Sequence, residues 1–301
     1  MKSDGITDAQ IEQYDRDGFV TIDTPFTSRE LDRAEAAWDR WARDGATPYE
    51  DAGYVDVIQH PFFEAVACDV LRSKSVHLWW GLSPIGRMPA PPPHPDPDEQ
   101  WTGGSHVDIQ ATLQDFEATP RRMRAELWCW LNDVPEHRGA MRILPGSHRP
   151  IMAHWDAVLG PEQKAMLPRV HGLCPAPSNK SDRAYPEGIP DLEGMPWIQR
   201  QPVPAVARRG QMLVLCSAGL HSAWQNEDTV PRKSIGTSWV AAGVRCGLPR
   251  DQLASATRFL SALKQRLRPD RSHIVSGDFD WLFESDYEPK WPQTFLAGYA
   301  E

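Results

Sequence analysis

Side chains able to serve a metal ion and an anion gather at three places in this sequence. His106-Val107-Asp108 sets an imidazole and a carboxylate two residues apart. On a strand such residues share a face, so both can reach one ion. A distant second histidine would complete a 2-His-1-carboxylate face, which leaves three positions of an octahedral iron(II) open. His221 closes the run Leu213-Val214-Leu215-Cys216-Ser217-Ala218-Gly219-Leu220, where a strand ending in a small-residue turn brings an imidazole to a strand end. Arg232 follows His221 by eleven residues, with Ser234 two further on and on the same strand face. A planar guanidinium can clamp a carboxylate through two parallel hydrogen bonds, and the hydroxyl can add a third. A dicarboxylate such as 2-oxoglutarate needs that grip at its far end.

Each residue also has a plainer reading. His221 alone could be a histidine bonded to backbone, and Arg232 could be a surface arginine paired with Glu227 or Asp228. His94-Pro95-Asp96 repeats the spacing of His106 and Asp108 twelve residues earlier. Proline at its middle position removes a ladder donor and fits poorly in a central strand, whereas His106 leads into Ile109, Ala111 and Leu113. His106 is therefore preferred over His94.

Positioning these groups calls for a mostly β framework. Leu127–Leu131, Met141–Leu144, Gln211–Leu215 and Ile235–Val240 read as short strands between Gly and Pro turns, the pattern of a sandwich or jelly roll. Helices precede them. Thr7-Asp8-Ala9-Gln10 and Thr27-Ser28-Arg29-Glu30 fit the capping box and predict helices over about 8–17, ended by Gly18, and from Thr27 to about Arg43. A strand is expected at Phe19–Ile22, a helix over 61–72, a buried strand at 76–80 and a further helix over 250–268. Residues 83–98 carry too much proline for regular structure. The stretch from Pro150 to Arg209 reads as an insertion of the kind that forms lids, and the aromatic tail beyond Asp278 is expected to dock on the body.

Composition excludes several classes. Apolar residues at 41% and charged residues at 24% suit a globular chain, and no run nears the roughly 18 apolar residues of a membrane span. The first residues show no signal-peptide pattern, so a cytoplasmic location is expected. A net charge of −9 argues against nucleic acid as partner, and Arg121, Arg122 and Arg124 make only a short basic patch. Five scattered cysteines without a CxxC pair argue against a disulfide framework or cysteine zinc site. Thirteen tryptophans suggest an aromatic core and a ring-lined pocket.

In combination the pieces resemble a known family. His106-Val107-Asp108, GAMRILPGSHR (139–149) and HSAWQNEDTVPRKS (221–234), in this order, resemble the phytanoyl-CoA dioxygenase (PhyH-like) family, as does the opening IEQYDRDGFVTIDTPFTSREL. The resemblance runs in patches from about residue 6 to 245 and leaves 150–209 and the tail outside. It implies a single PhyH-like domain over 1–301, mainly β with α: a double-stranded β-helix core (99–245) behind a helical N-terminal part (1–82), with a C-terminal helix and tail (250–301). It implies Fe(II) held by His106, Asp108 and His221, and 2-oxoglutarate anchored by Arg232 with Ser234. His148 becomes structural by the same match. Related halogenases carry a small residue where this chain has Asp108, so the resemblance points to an oxygenase outcome. Ser105 departs from the tryptophan that family members often carry there, which bears on the substrate side of the pocket.

The expected activity is therefore a non-haem dioxygenase using O2 and 2-oxoglutarate. It would hydroxylate, desaturate or rearrange a hydrophobic small molecule, such as a lipid or secondary metabolite, and release succinate and CO2. Gln110 and Thr112 continue the inward face of the His106 strand, and Trp130, Trp224 and Trp239 are candidate pocket walls, although core packing explains each as well. The alternatives are a cupin-like metal dioxygenase that needs no 2-oxoglutarate and a non-catalytic jelly-roll binding protein. Arg232 with Ser234 speaks against the first, and the intact His/Asp/His set against the second.

Overall fold

In a computed structural model, the residues described are 5–45, 50–78, 84–94, 96–97, 124–149, 201–242, 246–248, 250–275, 279 and 282–284. Both capping boxes form. Thr7 Oγ1 accepts from the Gln10 backbone N–H while Gln10 Oε1 accepts from that of Thr7, opening α1 (Asp8–Asp17). Thr27 and Glu30 reciprocate in the same way at the start of α2 (Ser28–Asp44). Those bonds favour the charged carboxylate and hold the Glu30 pKa below its ordinary value.

Gly18 ends α1 at φ 83°, and the chain turns directly into β1 (Phe19–Asp23). Two later segments lean on this corner: the Gly18 carbonyl accepts from Cys216 N–H and the Asp17 carbonyl from Gly146 N–H, both at 2.8 Å. A Cβ on Gly18 would stand 2.6 Å from His148 Nδ1. Gly18→Ala is thus expected to destabilise the fold by about 2–4 kcal/mol, from left-handed strain plus overpacking. A urea titration with unchanged midpoint would refute this.

Short α3 (Ala52–Ile58) and α4 (Pro61–Leu71) follow. Sequence periodicity did not reveal α3, which is only seven residues long. Next come β2 (Val76–Leu78), β3 (Pro84–Arg87), β4 (Arg124–Trp130), β5 (Arg142–Ile143), β6 (Val203–Pro204), β7 (Gln211–Cys216), β8 (His221–Ser222), β9 (Arg232–Ala241) and β10 (Cys246–Leu248). Then α5 (Arg250–Lys264), a 3-10 turn (Pro269–Ile274) and β11 (Leu282–Glu284) complete the described elements.

Two expectations need correction. Residues 84–87 form a strand despite their prolines, because β3 pairs with β9 as an outer strand and Pro84 is its first residue, a place where no inner ladder donor is lost. The supposed insertion of 150–209 also reaches into the framework at its end: Val203–Pro204 forms β6 against β5, Ala205 N–H bonds Met141 O, and Ala207 exchanges backbone bonds with Val134. The rest of that stretch, 150–200, lies outside the described residues.

The large sheet runs β1-β7-β4-β9-β2 with β3 also on β9, all antiparallel, and a smaller one runs β6-β5-β8. Register and burial assign the faces. Val20, Ile22, Met212, Val214, Leu127, Cys129, Ile235 and Trp239 join one core cluster with residues of the helices. Phe19, Leu213, Leu215, Trp128 and Trp130 join a second with Met141, Ile143 and Ala205, between the two sheets. Because side chains alternate, the even residues of β4 and β9 face this inner space and the odd ones the helices. Lys233 obeys the rule from the other side: its Nζ reaches Glu35 at 2.9 Å and Asp39 at 2.7 Å on α2.

The tail docks as expected at least through β11, which pairs in parallel with β10 and buries Leu282. Cys68, Cys129 and Cys216 are free thiols, and burial pushes Cys129 up to about 12, far from thiolate reactivity. Among the described residues no helix is long and apolar enough to cross a membrane.

Candidate functional site

Arg232 is the first residue of β9 and Ser234 the third; both are buried, with half-buried Lys233 between them. The two therefore share the inner face, as their spacing predicts. Arg232 is 1% exposed, its Nη1 donates to the Gly139 carbonyl, and its Cζ sits 5.4 Å from the centre of the Trp130 ring. No carboxylate pairs with it among the described residues, and its Nε has no partner there. The surface ion pair with Asp228 does not form. Asp228 instead accepts from Arg138 Nε at 2.8 Å, which holds its carboxyl down at about 2. Glu227 is anchored by its backbone, its N–H donating to His137 O.

Burial and the neighbouring charge of Arg87, its register partner on β3, pull the Arg232 guanidinium down to about 9. It still carries its charge at neutral pH. A lone buried cation is costly, and like charges in register add to the cost. The arrangement fits an anion: a carboxylate entering from the inner face would meet the unpartnered Nε, the Ser234 hydroxyl and the indole N–H of Trp130, which is likewise buried without a partner.

The approach to Arg232 is shaped by Asn226. Its Nδ2 donates to Val230 O at 2.8 Å and to Arg87 O at 2.9 Å, and its Oδ1 accepts from Asp228 N–H. This side-chain turn fixes the connection from β8 to β9, and Arg138 clamps it through Asp228. Asn226-Glu227-Asp228 was legible as a turn signal, but its role in seating Arg232 was not. Gly139, at φ 67°, turns the chain so that its carbonyl meets the guanidinium.

His221 opens β8, opposite Ile143 of β5, and is 3% exposed. Its Nδ1 donates to the Gly219 carbonyl at 2.9 Å, since a carbonyl can only accept. That bond fixes the tautomer and leaves Nε2 as the lone-pair nitrogen, the usual way a protein prepares a histidine for a metal. Two bonds hold the approach: Leu220 N–H donates to Ser147 Oγ at 2.8 Å, and Leu144 N–H to Leu220 O at 2.9 Å. The Pro145-Gly146-Ser147-His148 turn thus serves the site indirectly. Its His148 bonds Asp15 O through Nε2 on α1, in keeping with a structural role.

His106, Asp108, Gln110 and Thr112 lie outside the described residues, and among the described ones no three metal-binding side chains gather. Of the candidate walls, Trp130 faces the inner space beside Arg232. Trp224 is buried, with the Arg142 guanidinium 4.7 Å over its ring. Trp239 is a correction. As an odd residue of β9 it packs in the helix-side core, its Nε1 bonded to Thr237 Oγ1. Sequence reading missed Trp128, an even residue of β4 that is only partly buried and tilts against Trp130 at 6.2 Å. The even spacing from Trp130 was the available signal.

Several solved structures share this architecture. EctD from S. alaskensis in its apoform superposes with a TM-score of 0.54 at 16% identity, covering 80% of this chain and 79% of that one. SnoK, a non-haem alpha-ketoglutarate-dependent carbocyclase from nogalamycin biosynthesis, gives 0.52 at 16%, covering 79% and 85%. The epimerase SnoN, in complex with Fe3+, alpha-ketoglutarate and nogalamycin RO, gives 0.51 at 18%, covering 78% and 83%. At such identities the likeness concerns the fold, and the two facing antiparallel sheets are the double-stranded β-helix. No curated protein matches the chain by sequence. The model of the phytanoyl-CoA dioxygenase (PhyH) family, however, matches residues 14–234, most of the chain, and the protein belongs to that family of non-haem iron, 2-oxoglutarate-dependent oxygenases.

Proposed function

We propose that His106, Asp108 and His221 hold the iron, that Arg232 and Ser234 hold the far carboxylate of 2-oxoglutarate, and that the protein hydroxylates a largely hydrophobic small molecule. The observation that carries this reading is the buried, anion-free Arg232 on the inner face. A direct metal dioxygenase has no use for such a group, and a packing role would favour an apolar side chain. When bound, iron and 2-oxoglutarate supply the oxidising power, the co-substrate leaving as succinate and CO2. The chain's own residues bind and orient. The Gly219 carbonyl keeps the His221 ring in one tautomer, Gly139 and Trp130 hold the guanidinium in place, and the apolar walls of Leu213, Leu215 and Met141 keep water from the inner space. Asp108 supplies the carboxylate of the metal face, which leaves no position for a halide at that ligand.

Without oxygen, adding Fe(II) and 2-oxoglutarate is expected to produce a weak visible charge-transfer band that neither gives alone. Asp108→Ala should remove it. A wild-type protein that binds both yet shows no band would defeat the ligand assignment.

A further inference from the structure

The inner face of the large sheet carries a second polar group that the co-substrate does not use. Past Arg232 and Ser234 on β9 come Gly236 and Ser238; beside them on β4 run Trp130, Trp128, Glu126 and Arg124. The register sets Ser234 against Trp130, Gly236 against Trp128 and Ser238 against Glu126. Ser238 Oγ donates to Glu126 Oε2, and Arg124 Nε lies 2.5 Å from Glu126 Oε1. The Arg124 and Glu126 side chains are only 13% and 7% exposed. Ser238 stands roughly 20 Å along the strand from Arg232, at about 3.3 Å per residue.

Order along this face decides the meaning. His221 lies at the start of β8, and the chain then runs through Trp224, whose carbonyl abuts Gly139, to the Arg232 end of β9. A dicarboxylate gripped at Arg232 therefore extends along β9 toward the residues that follow Ser234. What lies beyond it meets Trp128, partly uncovered and facing a glycine that adds no side chain of its own, and then the Arg124–Glu126–Ser238 network. A buried ion pair contributes little to stability, since desolvation offsets its attraction. An apolar inner face would serve a purely hydrocarbon substrate better.

We propose that this network is the substrate's polar subsite, reading a neutral hydroxyl group on a ring that lies against Trp128 over Gly236. The pair is internally neutral, so it favours a dipole over an ion. A hydroxyl can donate to the Glu126 carboxylate while accepting from the Arg124 guanidinium, whereas an ammonium or carboxylate would set itself against one of the two. This rests on the co-substrate reading above, which fixes the direction of the face, and it narrows the substrate class to hydroxylated ring compounds.

Calorimetry with 1-tetralol, tetralin and 1-aminotetralin, on the protein loaded with Fe(II) and 2-oxoglutarate without oxygen, tests it. Wild type should bind 1-tetralol about tenfold more tightly than either companion, the worth of one to two net hydrogen bonds. Ser238→Ala and Glu126→Gln should cut that preference severalfold. Circular dichroism verifies folding, and Ser238→Ala, the milder change, keeps the test open if Glu126→Gln does not fold. Equal binding of all three probes, stronger binding of the amine, or an undiminished preference in folded Ser238→Ala would overturn the subsite. The charge-transfer band, read in the same samples, reports the co-substrate reading separately: its absence from wild type removes that reading, while its presence beside indifferent probe binding removes only the subsite.

Discussion

Replacing Arg232 with methionine is expected to weaken 2-oxoglutarate binding by about a hundredfold or more, with little loss of stability in the free protein. The first effect follows from losing a buried, charge-assisted clamp. Truncating one partner of such a pair costs about 2–5 kcal/mol. The second follows from the state of Arg232 before any anion arrives. It is 1% exposed, without a carboxylate among the described residues, and in register with Arg87. Methionine of similar length fills the space beside Trp130 and removes a desolvated charge, a change that is often neutral or stabilising. Isothermal titration gives the affinity and a thermal melt the stability. Wild type should also melt higher when 2-oxoglutarate is added, by about 3 kcal/mol at a hundredfold excess over Kd, and the variant should not. A variant that binds normally would remove Arg232 from the site, and one that fails to fold would make it a structural residue.

The sign of the pH dependence follows from the same environment. Burial and Arg87 pull the guanidinium down to about 9, so it is charged and binding-competent below that value. Anion affinity should be flat through neutral pH and decline as pH rises past about 9. Arg232→Lys keeps a charge but not the two-pronged geometry, and should fall between wild type and methionine.

What could be read from the sequence follows the range of the forces involved. The capping boxes at Thr7 and Thr27 and the stop at Gly18 are local, so α1 and α2 emerge almost residue for residue. The strands around 127, 213 and 235 show in their apolar runs, but their ends move when partners are counted: β4 begins at Arg124 because its register with β9 extends to Val240. Face assignment was the weak point. Alternation says that Arg232 and Ser234 agree and that Trp239 opposes them, yet an aromatic looks equally at home in a core and in a pocket until the neighbouring sheet is known. The inward run of Arg124, Glu126, Trp128 and Trp130 was hidden for the same reason, since Arg124 read as part of a surface basic patch with Arg121 and Arg122. Proline misled at 84–87, where β3 lies at the outer side of β9 and its first residue loses no inner bond. The His221–Arg232 pair was legible because their spacing spans a single short connection, whereas the clamp of that connection by Asn226 and Arg138 depends on contacts far apart in sequence.

His221→Ala is expected to lower Fe(II) affinity by more than about a hundredfold and to reduce turnover to background, while leaving the fold nearly intact. Loss of a group that merely orients a ligand already costs about 10–100-fold in metal affinity, and loss of the ligand itself costs more. The fold should survive because the ring is held to Gly219 within its own turn, while Leu220, not the imidazole, makes the bonds to Ser147 and Leu144. Two other histidines make the comparison informative. His148 is also buried, but it packs against Gly18 and bonds Asp15, so His148→Ala should cost about 1–3 kcal/mol in a urea titration and leave iron binding as it was. His94 shares the spacing of the preferred metal pair yet lies in no strand, and His94→Ala should change neither quantity. Anaerobic iron titration of the three variants separates ligand, scaffold and bystander. If His94→Ala abolished binding and His221→Ala did not, the metal face would have to be rebuilt around the earlier histidine, and the anchoring role of Arg232 would need a different partner.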